Sequence, residues 1–536
     1  MSIADVLAQS VAAELTSLGI EASPADVHLE RPARAEHGDF STNVALVLAK
    51  RAGRNPREIA GELAAALTAA PPPHVEAVEV AGPGFVNFRL RPSWLHEALV
   101  EIVTATETGY AAPDLGHGER TQIEFVSANP TGPVHVGNGW FGAYGDALAR
   151  ILERTGSQVT REYYVNDTGG QVRLLGESLL ARRRGEAPPK EGYQGEYVAE
   201  IAAAYEGPDD VVEAGRFAAE QILANIRTTM DRLNIHFDEW YSQASIEESG
   251  KVAGVIEELR SRGHVYEDGG ATWFRATTFG DSRDRVLIKS NGDVTYLGGD
   301  LAYHRNKFLE RGFDRVIDVF GADTHGQVAS LRAGVQALGV DPDRLEVRIG
   351  QMISLVSGRM SKRSGTYIRL DDLIEEIGAD STRLLSLLSS IDQATTLDLD
   401  IVKERSAENP VFYVQYAHAR IASISKVAGE RGVLRRPIGE VELGLLEHPR
   451  ELEILRTLVD LPRVVEEAAV ERAPYKVTNW VRRLAADFHS FYHDCYVMGE
   501  GVSAELTQAR LWLVEAARVG LAIGLDLLGV GAPDEM

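Results

Sequence analysis

The chain has 536 residues, 44% hydrophobic and 25% charged, the balance of a soluble globular protein too long for one core, so about three domains are expected. Its formal net charge of −24 argues against non-specific nucleic-acid binding, which Lys and Arg drive on phosphate, but leaves room for specific RNA contact through local basic faces. Cys495 is the single cysteine, which excludes an internal disulfide and a multi-cysteine zinc site, and no structural metal is expected. The first residues carry an early acid and no basic run, and no stretch of about 18 uncharged apolar residues occurs, so neither a secretory signal nor a membrane helix is read and a cytoplasmic location is expected.

The chain opens on an amphipathic helix with Ile3, Val6, Leu7, Val11, Leu15 and Leu18 on one face. A glycine turn at residues 37–40 leads to a second helix, Pro71-Pro72-Pro73 breaks the pattern, and an extended stretch over 76–90 is interrupted by Gly82-Pro83-Gly84. This reads as a small N-terminal α+β domain over residues 1–112. From 113 to 395, β-rich runs such as 315–320 and 345–349 alternate with helical patterns, which predicts a Rossmann-like parallel sheet, with insertions over about 171–290. From 396 to 536 only helical patterns are convincing, including 475–497 and 506–528, with Pro410 suited to the first helical position. The last third is expected to be an all-α helical bundle. No long repeat, no Gly-x-x-x-x-Gly-Lys-Ser/Thr and no Gly-x-Gly-x-x-Gly occurs.

Two short motifs carry chemistry. In the first, a β-rich run at 121–127 and a turn Asn129-Pro-Thr-Gly-Pro-Val-His135 precede a helical pattern over 138–154, which Gly156 can stop, and a second β-rich run at 158–165. That order is a β-α-β unit, whose turn lies at the carboxyl end of the strand and whose helix N-terminus can attract phosphate. Gly137 allows close backbone approach and His135 can donate to a phosphate oxygen. The second motif, Arg359-Met360-Ser361-Lys362-Arg363-Ser364-Gly365, lies with Arg369 in an acid-free stretch of an acidic chain. Alone it would be an ordinary solvated loop; with the first motif its targets are the β- and γ-phosphates of ATP. Together the motifs point to ATP-driven activation of a carboxylate.

The pair resembles the class I aminoacyl-tRNA synthetases, with Asn138 where the first motif usually has a second histidine and Arg359 where the second usually begins with lysine. Longer strings resemble the bacterial arginyl-tRNA synthetases: Glu124-Phe-Val-Ser-Ala-Asn-Pro-Thr-Gly-Pro-Val-His-Val-Gly137, Arg161-Glu-Tyr-Tyr-Val-Asn-Asp167, Tyr296-Leu-Gly-Gly-Asp300-Leu-Ala-Tyr-His304, Gly321-Ala-Asp-Thr-His-Gly326 and Asn409-Pro-Val-Phe-Tyr-Val-Gln-Tyr-Ala-His-Ala-Arg420. Glu36-His-Gly-Asp-Phe40 and Gly82-Pro-Gly-Phe-Val-Asn-Phe88 match that family's added N-terminal domain.

The resemblance implies activation of L-arginine by ATP with Mg2+, typically with tRNA bound, then transfer to the terminal adenosine of tRNA(Arg), by a monomer. A guanidinium calls for carboxylates and an aromatic. By match, Glu124 and Asp300 would hold it beside Tyr296, with Ser127 and Asn129 toward the amino-acid end, and Asp323 and His325 lining the same pocket. His135, Asn138 and Lys362 would act on the phosphates, with Gly137, Gln351, Met352, Met360, Ser361 and Arg363 around ATP. Tyr413, Tyr416, His418 and Arg420 would meet tRNA. Read without the resemblance, Glu124 is equally a strand charge, Asp300 a helix cap, and Tyr296, Tyr413 and Tyr416 packing aromatics. The competing functions are a paralogue with a non-tRNA acceptor, a catalytically idle RNA-binding protein, and a nucleotidylyltransferase, which leaves the helical last third unexplained.

Overall fold

A computed structural model describes residues 3–32, 34–351, 353–355, 368–397 and 409–536, with backbone alone at Ala35, Asp323, His325, 353–355 and Leu397. The chain divides into two compact units, one of residues 1–106, 424–459 and 487–517, the other of residues 107–423, 460–486 and 518–536.

In the first unit, helix α1 (Ile3–Ser17) buries Leu7, Val11 and Leu15, as its apolar spacing requires. Strands β1 (Leu29–Glu30) and β2 (Phe40–Thr42), helices α2 (Val44–Ala52) and α3 (Pro56–Ala69), and the hairpin β3 (Val75–Ala81) and β4 (Phe85–Leu90) follow. The strands form an antiparallel sheet ordered β1-β2-β4-β3. The run at 37–40 therefore feeds a short strand before the helix that the sequence predicts.

The second unit is built on a parallel sheet. After helix α4 (Ser93–Gly109), most of which belongs to the first unit, come β5 (Arg120–Glu124), α5 (Val136–Arg154) and β6 (Gln158–Val165), the anticipated β-α-β unit. Helices α6 (Gly170–Arg183), α7 (Glu196–Ala204) and α8 (Val211–Arg232) precede β7 (Glu239–Ser242), and α9 (Gln243–Glu248) and α10 (Lys251–Ser261) precede a small antiparallel sheet of β8 (Val265–Asp268), β9 (Ala271–Phe274) and β10 (Arg285–Ile288). Then come α11 (Tyr296–Arg305), β11 (Arg315–Gly321), α12 (Val328–Ala337), β12 (Leu345–Gly350), β13 (Ile353–Leu355), α13 (Leu370–Ile377), α14 (Ala379–Ser386) and β14 (Thr395–Leu397). The main sheet is ordered β12-β11-β5-β6-β7, with every neighbouring pair parallel. The stretch read as insertions thus also supplies β7, an edge strand of the main sheet.

Because β5 is central, the chain winds outward through β6 and β7 and returns to the other side at β11. The crevice at the carboxyl ends of β5 and β11 is the switch point where such sheets bind ligands. Helices α10, α11 and α12 cover the face that carries Val316, in a core with Leu259, Leu301 and Leu331. Glycines let α5 pack closely: a Cβ on Gly145 would lie 2.2 Å from the Phe125 ring and one on Gly142 2.9 Å from Ile235. Gly145→Ala should therefore lose about 1–3 kcal/mol by overpacking despite the gain in helix propensity, read as a lower midpoint in urea.

Helices α15 (Pro410–Glu430), α16 (Pro449–Leu458), α17 (Leu461–Glu471), α18 (Tyr475–Asp494) and α19 (Ala504–Leu528) complete the chain, all helical as their periodicity predicts.

Candidate active site

Strand β5 ends at Glu124, three residues earlier than the β-rich pattern predicts, because Val126 and Ser127 take φ of +70° and +37°. Consecutive left-handed residues without glycine, one of them β-branched, are costly and cluster at functional sites. The bend returns the Ser127 hydroxyl to Glu124, donating to Oε1 at 3.0 Å, while Ser127 Oγ itself accepts from the Tyr164 backbone N–H at 3.0 Å. Asn129 follows, exposed, with its carbonyl accepting from Thr131 N–H.

His135 is the residue before α5 and Asn138 caps the helix: Asn138 Oδ1 accepts the His135 backbone N–H at 3.0 Å, and its side chain is buried. Desolvation holds the His135 imidazole below its ordinary value, so at neutral pH it is uncharged and keeps one N–H to donate. A Cβ on Gly137 would sit 3.0 Å from His135 Cε1, so the glycine makes room for the ring over the helix end. Val136 N–H donates to the Ile368 carbonyl and Leu370 N–H to that of Val134. The first motif is thereby stitched to the segment directly after the second. Residues 356–367, with Met360, Ser361, Lys362 and Arg363, and also Met352, lie outside the described residues, as do the Asp323 and His325 side chains; the backbone at 322–327 is a 3₁₀ turn at the end of β11. Gln351 N–H donates to the Ile391 carbonyl at 2.9 Å.

Beneath the crevice lies a buried ionic network that motif reading did not anticipate. Parallel register aligns Asp318 of β11, Glu124 of β5 and Glu162 of β6 in one row across three neighbouring strands. Lys307 Nζ lies between the first two, 2.9 Å from Asp318 Oδ1 and 2.7 Å from Glu124 Oε2. Arg311 takes Glu162 through both terminal nitrogens, and the Tyr303 hydroxyl donates to Glu162 as well. His304 bridges Asp318 Oδ2 and the Asp300 carbonyl oxygen, each at 2.8 Å. Burial favours neutral Lys307, but Asp318 and Glu124 outweigh it and raise its pKa. Burial pulls Asp318 up, yet Lys307 and His304 hold it below the usual carboxylate range, while for Glu124 burial wins over Lys307.

Asp300 stands apart. Burial, with Glu124 and Asp318 nearby, pushes its carboxyl up to about 6 against the pull of His304, and among the described residues no group donates a hydrogen bond to it. Tyr164 packs its ring 4.5 Å from that of Tyr303 and faces Asp300 and Glu124, which raise its pKa after burial itself. Tyr296 begins α11 one turn before Asp300 and is 81% exposed. The signal for the network was available in one spacing: Asp300, His304 and Lys307 recur at helical intervals.

Of the RNA-contact candidates, Tyr416 stacks on Phe412 at 5.3 Å and carries the Arg420 guanidinium 4.3 Å over its ring, both half-buried. Tyr413 is half-buried on the same helix. His418 is otherwise disposed: it is buried, and its Nδ1 is 3.1 Å from the Pro533 carbonyl, so the described conformation spends it on holding the C-terminal segment.

A switch-point crevice flanked by a His135–Asn138 helix start, with the segment after the basic motif bonded to it, is the framework of a class I aminoacyl-tRNA synthetase, and residues 206–423 match the family model for the class I (R) catalytic domain. Residues 5–90 match the arginyl-tRNA synthetase N-terminal domain and residues 414–536 the DALR anticodon-binding domain. The arginine–tRNA ligase of Carboxydothermus hydrogenoformans is 43% identical over 95% of this chain and 94% of its own, and that of Frankia alni 46% identical over 96% and 95%. The chain belongs to the arginyl-tRNA synthetase family. The Thermus thermophilus arginyl-tRNA synthetase shares the fold, with a TM-score of 0.78 and 23% identity over the whole of both chains.

Proposed function

We propose that the acid-floored crevice between β5 and β11 holds the guanidinium of L-arginine while the α5 start and the basic loop hold ATP. The protein is an arginine–tRNA ligase. An arginine carboxylate oxygen attacks the α-phosphorus of ATP and expels pyrophosphate; a hydroxyl of the terminal adenosine of tRNA(Arg) then attacks the acyl carbon and releases AMP. The observation that carries the site assignment is charge. Around the crevice Asp300, Glu124, Asp318 and Glu162 face the permanent cations Lys307 and Arg311, and of these four carboxylates that of Asp300 alone has no described hydrogen-bond donor. A guanidinium supplies both the charge and the donors.

In this reading Asp300 and Glu124 take the guanidinium and Tyr296 closes beside it. Ser127 and Asn129 orient the amino-acid end, with His135, Asp323 and His325 along the wall. His135 and Asn138 at the α5 start, with Lys362 and Arg363, stabilise the charge that develops as pyrophosphate leaves. Gly137, Gln351, Met352, Met360 and Ser361 surround the nucleotide, and Mg2+ enters as its counter-ion. Tyr413, Tyr416 and Arg420 offer stacking surfaces to RNA. The division 1–112, 113–395 and 396–536, a monomeric state and a cytoplasmic location complete the proposal; among the described residues no helix is long and apolar enough to cross a membrane.

Charging of a total tRNA pool with labelled arginine, with lysine and glutamine as controls, tests this directly, and absence of arginine-specific charging would overturn it. Lys362→Ala should slow activation about a hundredfold by removing one fixed cationic donor, with arginine affinity kept. A large loss of arginine binding at unchanged turnover would contradict the assigned role.

A further inference from the structure

We propose that Lys307 is a positioning residue for the guanidinium pocket, the cation that keeps its acidic floor charged and aligned; this rests on the arginine-binding reading above. Asp318, Glu124 and Glu162 occupy one row of a parallel sheet, where neighbouring strands are about 5 Å apart and like charges side by side repel. Left alone, such a row relaxes by taking up protons or turning side chains away, and either response spoils a cation site. Lys307 prevents this. It is fully buried, bonds Glu124 and Asp318 at once, and lies 4.2 Å from the centre of the Tyr303 ring.

The backbone is shaped to deliver it. Directly after α11 the chain adopts a π-helical segment, Asn306–Glu310, a rare geometry that recurs at functional sites. The α11 turn carrying Asp300 and His304 is thereby followed at once by the lysine that meets the strands.

Stability alone does not call for this arrangement, because well-packed apolar residues commonly replace buried ion clusters with no loss. An ionic cluster kept under a pocket for a cationic side chain acts on that pocket. It does so by two routes: through Glu124, and through Asp318 to His304, whose other nitrogen meets the Asp300 carbonyl. Lys307 thus touches neither arginine nor ATP, and acts on two residues that receive the guanidinium.

The test is steady-state kinetics of Lys307→Met and Lys307→Arg across pH. The methionine variant is expected to raise KM for arginine on the order of tenfold or more, as breaking a buried pair does, with kcat and KM for ATP little changed. The groups facing Lys307 are Glu124, Asp318, Glu162, Asp300, His304, Arg311 and Tyr303. Losing the cation among them raises the carboxyl pKa values, so the acid limb of kcat/KM for arginine moves to higher pH. Lys307→Arg restores part of both effects. If Lys307→Met does not fold, His304→Gln, which weakens the second route while leaving the lysine, should show the same KM-selective loss.

An unchanged KM for arginine, a fall in kcat alone, or failure of both variants to fold would overturn the proposal. Asp300→Asn separates it from the reading beneath it. A wild-type protein that does not charge arginine sinks that reading, whereas arginine-defective Asp300→Asn beside normal Lys307→Met sinks only the role of Lys307.

Discussion

Asp300→Ala is expected to raise KM for arginine by about 10²–10³-fold, the scale of removing one partner from a buried charge pair, while KM for ATP stays near its original value. Of the acids around the crevice, Glu124 already meets Lys307 and Ser127, Asp318 meets Lys307 and His304, and Glu162 meets Arg311. The Asp300 carboxylate has no described donor, so the guanidinium gains most there. The same residue sets a pH dependence. Its carboxyl is pushed up to about 6 in the free protein, and arginine binds the ionised form, so kcat/KM for arginine should fall as pH drops through about 6 and flatten above it. A carboxyl raised on folding destabilises: the cost is full above about pH 6 and gone below the unfolded value near 4. Bound arginine offsets it, so arginine should raise the unfolding midpoint more at pH 7 than at pH 5. Arginine dependence unchanged in Asp300→Ala would refute the guanidinium assignment.

Arg383→Leu is expected to lose about 3–5 kcal/mol of stability, as breaking a buried pair does. The guanidinium of Arg383 is 1% exposed and every arm is used: Nη2 on Asp146 at 2.6 Å, Nε on the Leu528 carbonyl at 2.8 Å, and Nη1 on the carbonyls of Leu233 and Asn234 at 2.8 and 2.9 Å. Leucine fills part of the volume but leaves three carbonyls without that donor and removes one of the cations on buried Asp146. Burial alone would raise Asp146, but Arg383, Arg150 and Arg161 outweigh it and depress its pKa. Its contribution is therefore present above the unfolded value near 4 and lost as pH falls through the lower folded value. Urea unfolding at pH 7 should show the loss, with a smaller difference between variant and parent in acid. A midpoint within error of the parent would mean that the contacts are interchangeable with water.

The parallel sheet and the helical last third were legible because their cue is periodicity, which survives without any partner in view. The span 121–165 predicts strand, turn, helix and strand, and β5, α5 and β6 occupy it. The early end of β5 was hidden because Val126 and Ser127 carry no marker of left-handed backbone; tertiary contacts of the Ser127 hydroxyl hold them there. Strand β7 escaped because Glu239-Trp240-Tyr241-Ser242 is too short to show a period. Asp300 stood out through its motif, whereas Lys307 reads as one more surface lysine until a π-helical segment and sheet register place it between two acids. His418, expected by match to meet tRNA, is turned in the described conformation toward the Pro533 carbonyl, a contact that no sequence pattern marks.

The Arg383 clamp also bears on how the protein is made. Arg383 and Leu528 are 145 residues apart, and Arg150 and Asp526 are 376 apart. The Gln415 side chain donates to the Gly531 carbonyl, and Gly531 N–H to Asp380. During vectorial synthesis, then, the sheet and its crevice leave the ribosome long before the segment that closes over Arg383. Until residues 526–533 emerge, water takes the place of the Leu528 carbonyl on the Arg383 guanidinium. A nascent chain cut short in α19 would lack these contacts to Arg383, Gln415 and Asp380.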